Sequence, residues 1–232
     1  MFAGLATGMA TGLGRLTGVT AVMVNLVLLV QFPLLHSFLL TPRGRHWLAR
    51  TVPQRYAREL VPTAYTTITA LQLGLLFLGW SPSGLTIFEF PTSVQCAFAV
   101  AFLGAWVLLL RSMWDAGLSL QTGSLGWCAL YRGVAPKYPR LPTQGLFRVC
   151  RQPIYLSFTL ITWLGPAWSA DKVMVASILT AYCVLAPLLK EQRFSKLYGA
   201  EFAAYRAQVP YLVPRLSMLR VRDGVTPGSP RR

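Results

Sequence analysis

The chain has 232 residues, of which 54% are hydrophobic and only 12% are charged, and its mean hydropathy is +0.48. This composition excludes an ordinary soluble domain and indicates an integral membrane protein. The formal net charge of +15 would suggest nucleic-acid binding in a soluble protein; here the basic residues follow a membrane topology, and no nucleic-acid partner is expected.

Five apolar segments are predicted to cross the bilayer, since a helical span needs roughly 20 apolar residues. They cover residues 18–40, 62–80, 94–113, 154–169 and 172–189. Only one cation, Arg15, precedes the first segment, so we interpret it as a retained helix and not as a signal peptide. The predicted fold class is all-α: an integral membrane helical bundle of about five transmembrane helices, forming a single membrane domain over residues 1–232.

The Lys and Arg residues alternate between the connections of these spans. Five lie between the first and second spans, five between the third and fourth, and nine from Lys190 onward, whereas the connection between the second and third spans has none. The positive-inside rule then predicts a cytoplasmic C-terminus and an N-terminus outside. Richness in Ala, Leu and Arg with short connections favours a bacterial inner membrane, where the bilayer and its anionic headgroups are the expected partners.

Two cytoplasmic segments, residues 114–153 and 190–216, are expected to build the functional site. Apolar residues recur at helical spacing from Glu191 to about Ala207 among Lys and Arg, which predicts an amphipathic cytoplasmic helix. Residues 217–232 have no apolar period and are predicted to be a disordered tail.

The four cysteines predict neither a disulfide framework nor a metal site. They are Cys96, Cys128, Cys150 and Cys183. None belongs to a CxxC motif, and most fall in or beside apolar segments.

Polar residues gather where the first, fourth and fifth spans reach the cytoplasmic side. Arg151 and Gln152 precede Pro153 at the start of the fourth span, Glu191 follows the fifth, and His36 ends the first. Proline suits the first turn of a helix, where its missing N–H is not needed. The positive end of the fourth helix therefore predicts a polar, anion-tolerant pocket at the membrane boundary.

The segments QGLFRVCRQPIYLSF and KEQRFSKLYGAEFAAYRAQVPYLVPR resemble the C-terminal signature of the isoprenylcysteine carboxyl methyltransferase and phospholipid methyltransferase superfamily. The matching positions are Gly145, Phe147, Arg151, Pro153, Tyr155, Glu191, Gly199, Tyr205, Val209, Pro210, Pro214 and Arg215. Within the superfamily, LLHSFLLTPRGRHWL and RELVPTAYTTIT are most similar to the first half of methanethiol S-methyltransferases and NnrU-like membrane proteins. The resemblance covers roughly residues 25–216.

The resemblance implies an S-adenosyl-L-methionine site and its residues. Carried over position by position, the cofactor-binding residues are Phe147, Gln152, Pro153, Tyr155 and Glu191, and the candidate catalytic residues are His36, Arg151 and Tyr155. His36 would act as the base for a thiol acceptor. Two positions depart from the signature: Gln152 replaces its histidine, and Lys190 replaces the first acid of its Glu-Glu pair.

The implied function is S-adenosylmethionine-dependent methylation of a small thiol by a membrane enzyme. Carboxyl-methylating relatives carry an arginine shortly before the acid pair, and VLAPLLK has none, which favours a small apolar acceptor over a prenylated peptide. Three alternatives stay open: a prenylcysteine carboxyl or phospholipid amine methyltransferase with a lipidic acceptor, a non-catalytic NnrU-like membrane protein, and a reductase related to the sterol-reductase branch that shares this helical scaffold. Gln152 and Lys190 favour the non-catalytic alternative.

Overall fold

Four long apolar helices account for most of residues 1–214, the part of the chain that the computed structural model describes. They are α2 (Gly18–Leu39), α4 (Ala57–Gly79), α5 (Thr92–Asp115) and α9 (Ala170–Gln208). Each is long and apolar enough to cross a membrane. They confirm the predicted all-α membrane bundle, while Arg215 and the predicted tail 217–232 lie outside the described residues.

Shorter elements connect these helices. They are α1 (Phe2–Ala6), α3 (Pro42–Arg50), α6 (Leu118–Gln121), α7 (Ser124–Tyr131), α8 (Pro153–Leu164), the 3-10 helices Gln54–Tyr56 and Gly145–Arg148, and the strands β1 (Thr86–Phe88) and β2 (Trp168–Ser169). The two strands pair antiparallel, with Thr86 opposite Ser169. This pair ties the connection after α4 to the turn between α8 and α9.

Helix α8 is shorter than the predicted span 154–169. Its 12 residues give a length of about 18 Å, against roughly 30 Å of hydrocarbon in a bilayer. The helix ends before Gly165 because Pro166 lacks the N–H that would continue it and disfavours helical backbone at the residue before it. Residues 165–169 instead turn the chain back toward α9.

Helix α9 contains both the fifth predicted span and most of the predicted amphipathic helix. It runs for 39 residues, and its backbone leaves helical geometry at Gly199, where φ is +50° and ψ is −120°. Pro187 lies inside this helix, and the helix continues past it from the apolar part into the polar part as far as Gly199. Lys190 and Glu191 therefore lie on the helical stretch between Pro187 and Gly199.

The buried core lies where α2, α4, α5, α8 and α9 meet. Its members include Leu29, Leu76, Phe102, Ile161 and Val175, one from each helix. We call the end of the bundle where α2 ends and α4 and α8 begin the basic end, because its connections carry most of the arginines. At the opposite end, the segment containing α1 packs into the bundle and buries Leu5 and Met9.

Candidate functional site

An ion pair between Arg151 and Glu191 joins the start of α8 to α9. Arg151 Nε donates to Glu191 Oε1 at 2.8 Å, and Arg151 Nη2 donates to Oε2 at 3.3 Å. The two side chains are 9% and 8% exposed. Such a forked, buried pair fixes both groups in one geometry, so the structure brings together two of the predicted site residues.

Gln152 lies between Glu191 and Lys190. Its Nε2 donates to Glu191 Oε1 at 2.9 Å, and its Oε1 accepts from Lys190 Nζ at 3.1 Å. An amide offers a donor and an acceptor at once, and here it uses both. The two departures from the signature therefore contact each other: a second carboxylate at position 190 would repel the amide oxygen that the lysine now binds.

Arg151 also holds the C-terminal segment against α8. Its backbone N–H donates to the Pro210 carbonyl at 2.9 Å, and its Nη1 donates to the carbonyls of Arg206 at 2.9 Å and Val209 at 2.6 Å. The Val-Pro element of the signature thus lies directly on the Arg151 side chain. Because one guanidinium bridges α9, the C-terminal segment and Glu191, this arginine organises the whole cluster.

Gly145 and Phe147 precede this cluster in a 3-10 helix that packs on the end of α5. Gly145 has φ +59°, and a Cβ there would lie 2.1 Å from Asp115 Oδ2. That same oxygen accepts the Leu146 N–H at 2.8 Å. Phe147 is buried, and its carbonyl accepts from Tyr205 Oη at 2.7 Å. The glycine of the Gly-x-Phe element is therefore explained by packing, because the backbone at Gly145 lies too close to Asp115 for a side chain.

Tyr155 and Pro153 occupy the first turn of α8. Pro153 is buried at the first helical position, as predicted. Lys190 Nζ lies 5.6 Å from the centroid of the Tyr155 ring and 5.4 Å from that of Phe194, within the range of a cation–π interaction. Tyr155 therefore borders the Lys190–Gln152–Glu191–Arg151 network, hereafter the polar network.

Cys150 lies beneath the polar network and is buried. Burial raises the pKa of its thiol, although the backbone N–H of Gln152 and the charge of Lys190 act in the opposite direction. Because the thiolate is the reactive form of cysteine, Cys150 is expected to stay a protonated packing residue at neutral pH.

His36 lies in a separate aromatic cluster formed by α2, α4 and α9. Its Nε2 is 2.6 Å from Tyr65 Oη, and its Nδ1 is 3.2 Å from Thr69 Oγ1. Its ring centroid lies 5.2 Å from that of Phe32 and 6.1 Å from that of Tyr182. The hydrogen bonds of His36 thus go to α4 and not to the polar network.

Helix α9 connects the two clusters. Tyr182 belongs to the aromatic cluster and Lys190 to the polar network, and their separation of eight positions along the chain corresponds to about 12 Å along a helix. Sequence reasoning did not identify Tyr65 and Tyr182 as neighbours of His36, because hydroxyl and aromatic groups inside apolar spans are usually packing residues. Tyr65 could have been found from its position in RELVPTAYTTIT, the segment that resembles methanethiol S-methyltransferases.

Several proteins named methanethiol S-methyltransferase match most of the chain. One from Bradyrhizobium diazoefficiens is 30% identical over 219 residues, covering 93% of this chain and 80% of that protein. The chain belongs to the methanethiol S-methyltransferase family. Another member, from Crocosphaera subtropica, is 29% identical over 198 residues, covering 84% of this chain and 76% of its own.

The chain is also similar to a protein named Nurim. Nurim from Sus scrofa is 27% identical to this chain over 179 residues, covering 72% of this chain and 66% of that protein. No protein-family profile and no solved structure matches the chain.

Proposed function

We propose that this protein is an integral membrane methyltransferase that uses S-adenosyl-L-methionine to methylate a small thiol such as methanethiol. The observation that carries the proposal is the polar network, which joins signature positions just before α8 to signature positions on α9 at the basic end of an apolar bundle. Membership in the methanethiol S-methyltransferase family supports the reaction and the acceptor.

The polar network fits a cofactor that carries a carboxylate and an ammonium group. Among the described residues, Lys190 Nζ donates one hydrogen bond, to Gln152, and an ammonium group has three donors, so two are available for a carboxylate. Glu191 Oε2 accepts one long bond of 3.3 Å and retains acceptor capacity for an ammonium or a ribose hydroxyl. Phe147, Pro153 and Tyr155 would supply the apolar walls.

S-adenosylmethionine would supply a methyl group on a sulfonium: the thiolate sulfur of the acceptor would bond to the methyl carbon in line as the carbon–sulfonium bond breaks and S-adenosylhomocysteine leaves as a neutral thioether. The protein then has to align the two reactants and exclude water. Arg151 and Gln152 would perform the first task by fixing the Glu191 carboxylate in one position. The aromatic cluster would perform the second, because Phe32, Tyr65 and Tyr182 surround the imidazole of His36.

His36 is the proposed base for the acceptor. A free thiol with a pKa comparable to the roughly 8.5 of cysteine is mostly protonated at neutral pH, and the thiolate is the nucleophile. Tyr65 Oη at 2.6 Å from His36 Nε2 would fix the ring and could exchange the proton. A small apolar thiol suits this cluster because the rings of Phe32, Tyr65 and Tyr182 surround the imidazole of His36.

The test is transfer of a labelled methyl group. Purified protein in detergent is given methanethiol and S-adenosylmethionine carrying a trideuterated methyl group, and the headspace is analysed by mass spectrometry. We expect dimethyl sulfide containing one deuterated methyl group, at a rate proportional to protein concentration. No labelled dimethyl sulfide, together with no saturable cofactor binding, would favour the non-catalytic alternative that Gln152 and Lys190 suggest.

A further inference from the structure

A cavity separate from the polar network lies between α3 and the start of α4. Its volume is about 560 Å³, and its lining includes Arg45, His46 and Ala49 from α3, Arg58 and Val61 from α4, and Tyr138 from the loop after α7. Tyr138 Oη donates to the Arg58 carbonyl at 3.2 Å, which holds the loop over the cavity. Neither the polar network nor the His36 cluster contributes a residue to this lining.

The cavity is cationic and lacks an internal counter-charge. Its lining contains two arginines and a histidine but no Asp or Glu. Within residues 1–214 the ion pairs are Arg111–Asp115 and Arg151–Glu191, so neither Arg45 nor Arg58 has a carboxylate partner there. Two guanidinium groups facing one cavity offer the forked donors that bind phosphate.

The cavity also has an apolar wall and lies at the level of a membrane surface. Helix α3 begins three residues after α2 ends, with Thr41 Oγ1 accepting the Gly44 N–H at 3.1 Å. Leu48 is buried against the bundle, whereas Trp47 is 48% exposed. An amphipathic helix with an exposed tryptophan, directly after a membrane-spanning helix, is typical of an element lying at the headgroup level.

We propose that this cavity binds the headgroup of an anionic phospholipid. Arg45 and Arg58 bind the phosphate, His46 and Tyr138 border the headgroup, and Ala49 and Val61 contact the first carbons of the acyl chains. Two arginines without a carboxylate partner among residues 1–214, next to an apolar wall, favour a lipid over a soluble phosphate. A soluble phosphate would leave the apolar wall exposed to water. The site would anchor α3 and the loop after α7 to the bilayer.

The test compares lipids and matched arginine variants of the full chain in a neutral detergent. Affinities for dioleoylphosphatidylglycerol, dioleoylphosphatidylcholine and soluble glycerol 3-phosphate are measured by native mass spectrometry. We expect saturable phosphatidylglycerol binding at least tenfold tighter than that of either other compound. The R45Q/R58Q variant should lose about tenfold or more in phosphatidylglycerol affinity. The control R43Q/R50Q removes the same charge at exposed positions of α3 outside the cavity. Its phosphatidylglycerol affinity should stay within twofold of that of the wild type.

Two results would overturn the proposal. Equal losses in both double variants would mean diffuse surface attraction without a site. Glycerol 3-phosphate binding as tightly as the lipid would identify a soluble anion as the ligand. Since all four arginines are exposed, we expect unchanged melting temperatures, and methyl transfer measured in parallel separates this proposal from that of the catalytic site.

Discussion

At the scale of single residues, the contact between Gln152 and Lys190 explains why this chain can depart from its superfamily signature at two positions. The amide oxygen of Gln152 accepts from Lys190, and its nitrogen donates to Glu191. A lysine at position 190 and a glutamine at position 152 are complementary, as a histidine and an acid would be. The pair therefore works as a unit, and changing one member alone should cost more than changing both.

Replacing Lys190 tests this coupling. K190E places a carboxylate against the Gln152 oxygen and beside Glu191, so it should destabilise the protein by about 1–3 kcal/mol. The double variant Q152H/K190E restores the signature pair, whose imidazole can donate to a carboxylate, and should recover at least half of the loss. Melting temperatures in detergent measure both effects. A double variant as unstable as K190E would show that the two positions are independent.

The Tyr65 hydroxyl gives a second residue-scale prediction. Y65F removes the group 2.6 Å from His36 Nε2 and keeps the ring, so turnover should fall about tenfold or more. Cofactor affinity should not change, because Tyr65 lies outside the polar network. Single-turnover rates and cofactor binding are measured on the same preparation, with Y131F, an exposed tyrosine, as control. Equal turnover in Y65F and Y131F would remove Tyr65 from the reaction.

At the scale of elements, the 3-10 helix Gly145–Arg148 sets the entry into α8. Asp115 at the end of α5 accepts the Leu146 N–H, and Phe147 is buried beside it. The next residues lead directly to Arg151 and Gln152, so the contact with Asp115 holds the segment that enters α8 against the end of α5. The site therefore depends on packing between α5 and the segment before α8, as well as on α8 and α9.

Substituting two glycines with similar backbone angles isolates this contact. Gly145 and Gly133 have φ values of +59° and +65°, and a Cβ meets Asp115 at the first but nothing within 4 Å at the second. In both G145A and G133A the free energy of unfolding should fall by about 1 kcal/mol, because alanine disfavours the left-handed backbone. In G145A it should fall by about 2 kcal/mol more, because the new Cβ displaces Asp115. Chemical denaturation in detergent checks the difference. Equal losses would show that the Asp115 contact does not constrain the site.

At the scale of the whole molecule, residue charge and apolar length were enough to predict the bundle, because both depend on composition over many residues. The predicted spans 18–40, 62–80 and 94–113 correspond to α2, α4 and α5 within a few residues. The packing of α1 into the opposite end was not predictable, since Phe2–Ala6 has too few residues to show a period. The dipeptide Gly165-Pro166 indicates that α8 ends at Leu164, but the prediction followed the apolar segment past it to residue 169.

The candidate site was predictable only in part, for a physical reason. The span count predicted only that the start of α8 and the end of the apolar part of α9 lie at the same end of the bundle. The hydrogen-bonded contact between Arg151 and Glu191 also depends on how the two helices pack. The Tyr65–His36 contact depends on the rotation of α2 and α4 about their axes, which single-sequence periodicity does not determine in almost uniformly apolar helices.

The orientation of the molecule in the membrane gives a prediction at the same scale. The native cysteines are replaced by serine, and a single cysteine is introduced at Leu85 or at Arg140, both exposed and at opposite ends of the bundle. The positive-inside rule predicts that a membrane-impermeant maleimide labels L85C in intact cells. R140C should be labelled only after the membrane is opened. The reverse pattern would place the polar network outside the cell.

Calorimetric titration of S-adenosylmethionine into the purified protein tests the proposed site most directly. The wild-type chain should bind the cofactor saturably, and E191Q should bind at least tenfold more weakly because it loses the charge at the centre of the polar network. The control E201Q removes an exposed carboxylate from the same helix and should leave the affinity unchanged. Absence of saturable binding by the wild-type chain, or equal affinity of E191Q and wild type, would contradict the proposed cofactor site.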